Sequence, residues 1–191
     1  MVKKLIFAIL LLQLSSCVVL HQEYFYPEAK GAKAEKPSCR GKVGPDNQLV
    51  FKIDDVIINL DVWEHKETTY LGISFTVHQN AQVIWPDQVV VLHIENSIKN
   101  LKVRSFNRLR VFVNEHQESD LLKKEYSVGS IMNRTTEKEF ESYYESFIVS
   151  DKSISELKID KIKLIVNGEE HVLSDIEFTK TSGLFLHPLN C

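Results

Sequence analysis

Seven histidines, three cysteines and two tryptophans are the residues of this 191-residue chain best suited to chemistry or to anchoring a partner. The histidines stand at 21, 65, 78, 93, 116, 171 and 187, with no His-x-His, His-x3-His or Glu-x-x-His spacing that would set ligands around a metal. His93 and Glu95 would share one face of a strand, but a pair needs a third ligand from elsewhere, so they read as a solvent-facing polar pair. Asp54-Asp55 offers two acids to calcium, in a turn that wants polar residues anyway. No Gly-x-Ser-x-Gly elbow, P-loop or dinucleotide fingerprint occurs. No catalytic residue, metal or cofactor is therefore assigned. Trp63 ends a strand pattern and reads as core or edge packing. Trp85-Pro86-Asp87 falls in a connection, where Trp85 and Asp87 are candidate partner contacts.

The elements that must carry these groups are bounded by composition. With 43% hydrophobic residues the chain has enough apolar surface for one core, and a domain of this size hides roughly two thirds of its unfolded surface. The 23 Lys and Arg are scattered against 26 Asp and Glu. That balance gives no field to draw in a polyanion and argues against nucleic-acid binding.

The amino-terminal end is the most informative segment. Lys3 and Lys4 precede an uncharged run from Leu5 to Leu12, too short for a bilayer that needs about 20 apolar residues. This is the pattern of an export signal. It ends in Leu14-Ser15-Ser16-Cys17, which resembles the lipobox of bacterial lipoproteins. The resemblance covers residues 1 to 17 and implies a signal peptide at 1–16, cleavage before Cys17 and acylation of Cys17. Two or three acyl chains, at about 0.8 kcal/mol per buried methylene, make a lasting anchor. Val18 stands where an Asp would retain the protein at the inner membrane, so the resemblance implies the outer membrane.

Cys39 and Cys191 remain, and in an oxidising compartment the reading favours a disulfide between them over pairing with another chain. Such a bridge closes a loop worth about 5 kcal/mol at most by chain entropy. Residues 17–48 lack sustained periodicity and are rich in Lys, Ala, Glu, Gly and Pro, the composition of a flexible tether. Tyr24, Phe25 and Tyr26 interrupt it. They fold back onto the domain to cover apolar surface, or they form a docking segment for a partner.

From residue 49 to 191 the signal is strands. Leu49–Ile53 and Val56–Val62 alternate around Asp54-Asp55 as a hairpin; Tyr70–Val77 and Leu109–Val113 alternate; Val89 to Leu92 reads as a central strand covered on both faces. Ile162–Val166, Asn167-Gly168 and His171–Phe178 form the clearest hairpin, since Asn-Gly suits a type I′ turn. Ser142–Val149 is read as a strand with a helical turn before it, and Ser119–Lys124 as a short helix. Seven to nine strands point to an all-β antiparallel sandwich, immunoglobulin-like or related. The layout also looks like uncharacterised bacterial envelope lipoproteins, a resemblance that implies no activity.

The leading expectation is a non-enzymatic binding or assembly module, lipid-anchored at the outer membrane, facing the periplasm and meeting an envelope protein. The alternatives are an inhibitor or immunity protein against a hydrolase or toxin, with Trp85 and Asp87 as contacts, and an envelope-polymer hydrolase. The last would need a dispersed site in which burial shifts an acid's pKa.

Overall fold

The structure, a computed structural model, describes residues 17–37, 44–113, 119–134 and 139–188. Among them every regular element is a strand: β1 (Cys17–Glu28), β2 (Lys33–Glu35), β3 (Gln48–Ile53), β4 (Val56–His65), β5 (Thr68–His78), β6 (Gln82–Ile84), β7 (Val89–Ile94), β8 (Ser97–Lys102), β9 (Ser105–Val113), β10 (Ser119–Ser127), β11 (Ile131–Asn133), β12 (Phe140–Ser150), β13 (Glu156–Val166) and β14 (Glu169–Pro188). They form two seven-stranded antiparallel sheets packed against each other, a β-sandwich. Sheet A runs β1–β14–β13, and the far edge of β13 is shared by β6, with β11 beyond it, and by β7, with β8 beyond it. Sheet B runs β10–β9–β12–β5–β4–β3–β2.

Alternation builds the core, because successive strand residues face opposite ways. Sheet B turns Val56, Ile58, Leu60 and Val62 of β4 inward, with Leu71, Ile73, Phe75 and Val77 of β5. Sheet A answers with Leu157, Ile159, Ile162, Leu164 and Val166 of β13 and Ile176 and Phe178 of β14. The buried series on β13 changes phase between Ile159 and Ile162, where Asp160 and Lys161 are both exposed and Asp175 opposite takes φ 55°. The kink divides the strand edge: residues 157–159 pair with β7 and residues 165–166 with β6.

Two hairpins follow their turn chemistry. Asn167 and Gly168 take φ 52° and 90°, the two positive angles of a type I′ turn. Asp54 takes φ 47° in the β3–β4 turn, and the Asn167 amide donates to its carboxylate at 3.2 Å, so the two turns are tied together.

Several expectations are corrected. The stretch 17–48 is not a flexible tether throughout, since it holds β1 and β2, and β1 pairs over its whole length with β14. The cause is β14, which outruns β13 at Thr179 and needs a further neighbour for its backbone. Ser119–Lys124 is not helical but lies in β10, matched rung for rung with β9. The ladder overrides a capping-type serine there. β7 is not covered equally on both faces; buried residues alternate with exposed Val89 and half-buried Val91 and His93, and the strand lies one place from the edge. β12 contains the expected strand, and the helical turn placed before it falls partly outside the described residues.

Lys180 locks β14 and β1 to sheet B. Its ammonium donates to Glu64 Oε2 at 2.8 Å and to Ser153 Oγ at 3.0 Å, and lies 3.2 Å from Glu23 Oε2 of β1. Burial pushes the Glu64 carboxyl up, but the bonds from Lys180 and Ser153 outweigh it and hold the group below its ordinary range. The Glu64 bond in turn holds Lys180 above the usual lysine value. The Glu64 contribution is present above the ordinary carboxylate pKa and is lost as pH falls through the lowered folded value. Lys180→Met is expected to lower the unfolding free energy at pH 7 by about 1–3 kcal/mol, read by urea titration. It is also expected to speed amide exchange at residues 23–25. Unchanged exchange there would show that the network does not hold β1.

Candidate functional site

The outward face of sheet B carries the groups that packing does not explain. Register aligns three rows across β4, β5 and β12: Trp63, Tyr70 and Ile148; Asp61, Gly72 and Ser146; Asn59, Ser74 and Tyr144. These positions point outward because their neighbours Val62, Leu71, Ile73 and Leu60 fill the core. Trp63 is 36% exposed, Tyr144 38% and Ile148 56%, so an apolar surface lies open to solvent on a strand face otherwise expected to be polar.

Gly72 is the seat of this site. A β-carbon there would stand 2.6 Å from Asp61 Oδ1 and 2.8 Å from the Trp63 ring. The bare backbone is what lets the carboxyl and the indole edge settle onto the sheet together. Trp63 is further fixed by Tyr70, whose ring stacks on it at 5.5 Å and 11°. Asn59 donates to Ser74 Oγ at 3.3 Å and completes the polar margin.

Asp61 is the unusual group. Burial pushes its carboxyl from the ordinary 3.8 up to about 6. Among the described residues no hydrogen bond or ion pair reaches it. A carboxylate desolvated without compensation costs stability near neutral pH, and such groups concentrate where a ligand supplies the missing partner. On the three rows Asp61 is the one carboxylate.

Of the residues singled out from sequence, Trp63 lies on this face, part-exposed rather than in the core; the others lie elsewhere, and two are corrected. Trp85 is not a partner contact: it is 1% exposed, packed against Phe106 at 5.3 Å and Phe75 at 6.2 Å, with its indole N–H donating to the Asp87 carbonyl at 2.6 Å. Asp87 thereby serves through its backbone as a stop for the Trp85 ring. Phe25 is also core, at 2% exposure, so this part of the aromatic segment covers the domain. Tyr24 is half-buried, edge-on to Phe185 at 5.4 Å, and Tyr26 is 39% exposed. His93 does not pair with Glu95. Its ring bonds Asp160 at 2.5 Å, while Glu95 sits in a turn at φ 53° and accepts from Ser155. Among the described residues no group of three His, Cys, Asp or Glu could hold a metal ion. Cys17 begins β1 opposite Pro188, and Cys39 and Cys191 lie outside the described residues.

Asp61, Tyr70, Gly72, Tyr144 and Ile148 escaped the sequence reading. The available signal was Gly72, an isolated glycine inside an alternating strand pattern, which marks a close approach. Compared with models of protein families, with curated proteins and with solved structures, the chain matches none.

The raised Asp61 pKa fixes the sign of a pH effect. Below about pH 3 both folded and unfolded chains hold the proton and the group costs nothing. Between there and about pH 6 the unfolded chain releases it first, so stability falls as pH rises. Asp61→Asn is expected to exceed the native protein in unfolding free energy by about 1–3 kcal/mol at pH 7.5 and to match it near pH 3, about one unit below the ordinary carboxyl value, by urea denaturation. An equal difference at both pH values would mean that charge is not what the site costs.

Proposed function

We propose that the protein is a non-enzymatic bacterial envelope lipoprotein, held by lipid on Cys17 at the outer membrane on its periplasmic side, that binds a partner through the outward face of sheet B. The anchor rests on the order Lys3-Lys4, apolar run, Leu14-Ser15-Ser16-Cys17. The binding face rests on one observation above the others, the unpartnered Asp61 carboxyl seated on Gly72 beside the Trp63–Tyr70 stack.

That chemistry selects the partner's complement. An arginine or lysine side chain would satisfy Asp61 and lie over the exposed indole, while apolar groups would cover Tyr144 and Ile148. The inhibitor reading takes Trp85 and Asp87 as contacts; Trp85 in the core removes one of the two, and the outward face of sheet B supports the assembly module. The reading keeps an intramolecular bridge between Cys39 and Cys191, both thiols lying in an exported chain.

Crosslinking in intact cells, followed by affinity capture and mass identification, tests the binding face. One recurrent envelope protein is expected with the native chain, reduced at least tenfold by Asp61→Ala and by Trp63→Ala and unaffected by Ile98→Ser on β8. Native recovery of that protein from both face variants would end the proposal for this face. For the cysteines, acyl mass on Cys17 and no alkylation of Cys39 or Cys191 before reduction are expected. A mature chain starting elsewhere, or two readily alkylated thiols, would remove the corresponding part.

A further inference from the structure

Beyond Thr179 the strand β14 leaves β13 behind, and from Gln22 opposite Gly183 to Cys17 opposite Pro188 it pairs with β1 as a two-stranded ribbon. These six rungs contain no Asp, Glu, Lys or Arg, in a chain of which 26% is charged. The first charge met along β1 is Glu23, at the Lys180 joint. Apolar types dominate instead: Val18, Val19 and Leu20 on one strand, Leu184, Phe185 and Leu186 on the other.

The described side chains leave this surface uncovered. Leu20 is 48% exposed and Leu184 71%. They lie on opposite faces, since Leu20 is paired with Phe185 and Leu184 with His21. Phe185 lies over Gly183, where a β-carbon would stand 2.9 Å from its ring, and against Tyr24. A ribbon of two strands gains little stability by itself in water, and its exposed apolar surface forgoes the stabilisation that burial would return.

The geometry points to the bilayer as what covers it. We infer that the charge-free end of the β1–β14 ribbon seats in the headgroup zone, with Leu20, Leu184 and Phe185 as the inserted side chains. The inference rests on the proposed acylation of Cys17, which brings membrane to this end of the ribbon. The body is net acidic, so attraction to anionic headgroups does not supply the contact and apolar insertion does. Depth is bounded, because the outer edges of both strands carry N–H and C=O groups that hydrocarbon would leave unpaired. At about 3.4 Å per residue the ribbon sets Glu23 roughly 20 Å from Cys17. The anchor is then joined to the sandwich by paired backbone.

The test uses acylated protein purified from membranes and placed in phosphatidylethanolamine and phosphatidylglycerol vesicles with a fraction of brominated acyl chains. Leu184→Trp and, separately, Leu20→Trp report the two faces. Ile98→Trp, on a position 70% exposed in β8, is the reference, with Trp63 and Trp85 common to all. Quenching at least twofold stronger for the two ribbon variants than for the reference is expected. Equal quenching in all three, on protein whose mass shows acyl chains at Cys17, overturns the seat and leaves the anchor standing. That is also the result if a second copy or a partner's strand covers the ribbon. Protein without acyl mass overturns the anchor and the seat with it.

Discussion

The backbone of β14 presents hydrogen-bonding groups along twenty residues, and no other strand described in this chain exceeds twelve, so its pairing has to be shared. β13 takes residues 169–179 and β1 takes residues 177–188, overlapping at 177–179, next to Lys180 and its ion pairs. The same requirement operates on β13, whose kink at Asp160 allows β6 and β7 to pair with different stretches of one edge. Sheet A is thus assembled around two long strands that hand their partners over part-way, whereas sheet B is a run of neighbours in which β3, β4, β5 and β12 pair over long stretches and β12 meets β9 at Tyr143 and Tyr144 alone.

Polar groups inside the sandwich and on its face show opposite solutions to one problem. Arg108 and Glu141 are both nearly inaccessible and lie 3.7 Å apart on the inward side of β9 and β12. Arg108 also covers the Tyr126 ring at 5.4 Å, and Tyr143 donates to the Asn133 carbonyl at 2.5 Å. Burial pushes the Tyr143 phenol to about 12, with Tyr126 adding to it, so it stays a neutral donor. Here the charges and dipoles answer one another, as a low-dielectric setting demands. Asp61 has no such answer among the described residues. The contrast makes its position informative: the fold sets its deeper ionic groups facing one another and leaves this shallower one open.

Strands whose partners lie next to them in the chain were legible, because alternation and turn chemistry are local. The β3–β4 and β13–β14 hairpins follow from it, as does the strand at Ser142–Val149 within β12. β1 was not legible. Its Pro27 and polar residues break the pattern, and its partner begins at Glu177, so nothing nearby in sequence announces the pairing. Pro27 fits there because an outermost strand has one edge without a ladder. Trp85 was misread since a position in a connection does not say which way a ring turns. Trp63, which reads from sequence as core or edge packing, stands on the outward face, and the site depends on Gly72 arriving beside Trp63 and Asp61, which only cross-strand register decides.

The tie between the two hairpin turns bears on the chemical ageing of the protein. An Asn-Gly step is where a backbone nitrogen most readily attacks the preceding side-chain carbonyl to give a succinimide. In this chain both ends of that amide are engaged: Asn167 Oδ1 accepts from the Gln82 N–H at 3.0 Å and Nδ2 donates to Asp54. The ring-closing rotation must break both bonds, so the folded turn shields the linkage. Once hydrolysed to an acid, the side chain would face the Asp54 carboxylate with like charge in place of a donor. The isomerised backbone would add a methylene to a turn held at two positive φ angles. A single deamidation would therefore be read at two hairpins at once, since one amide clasps both.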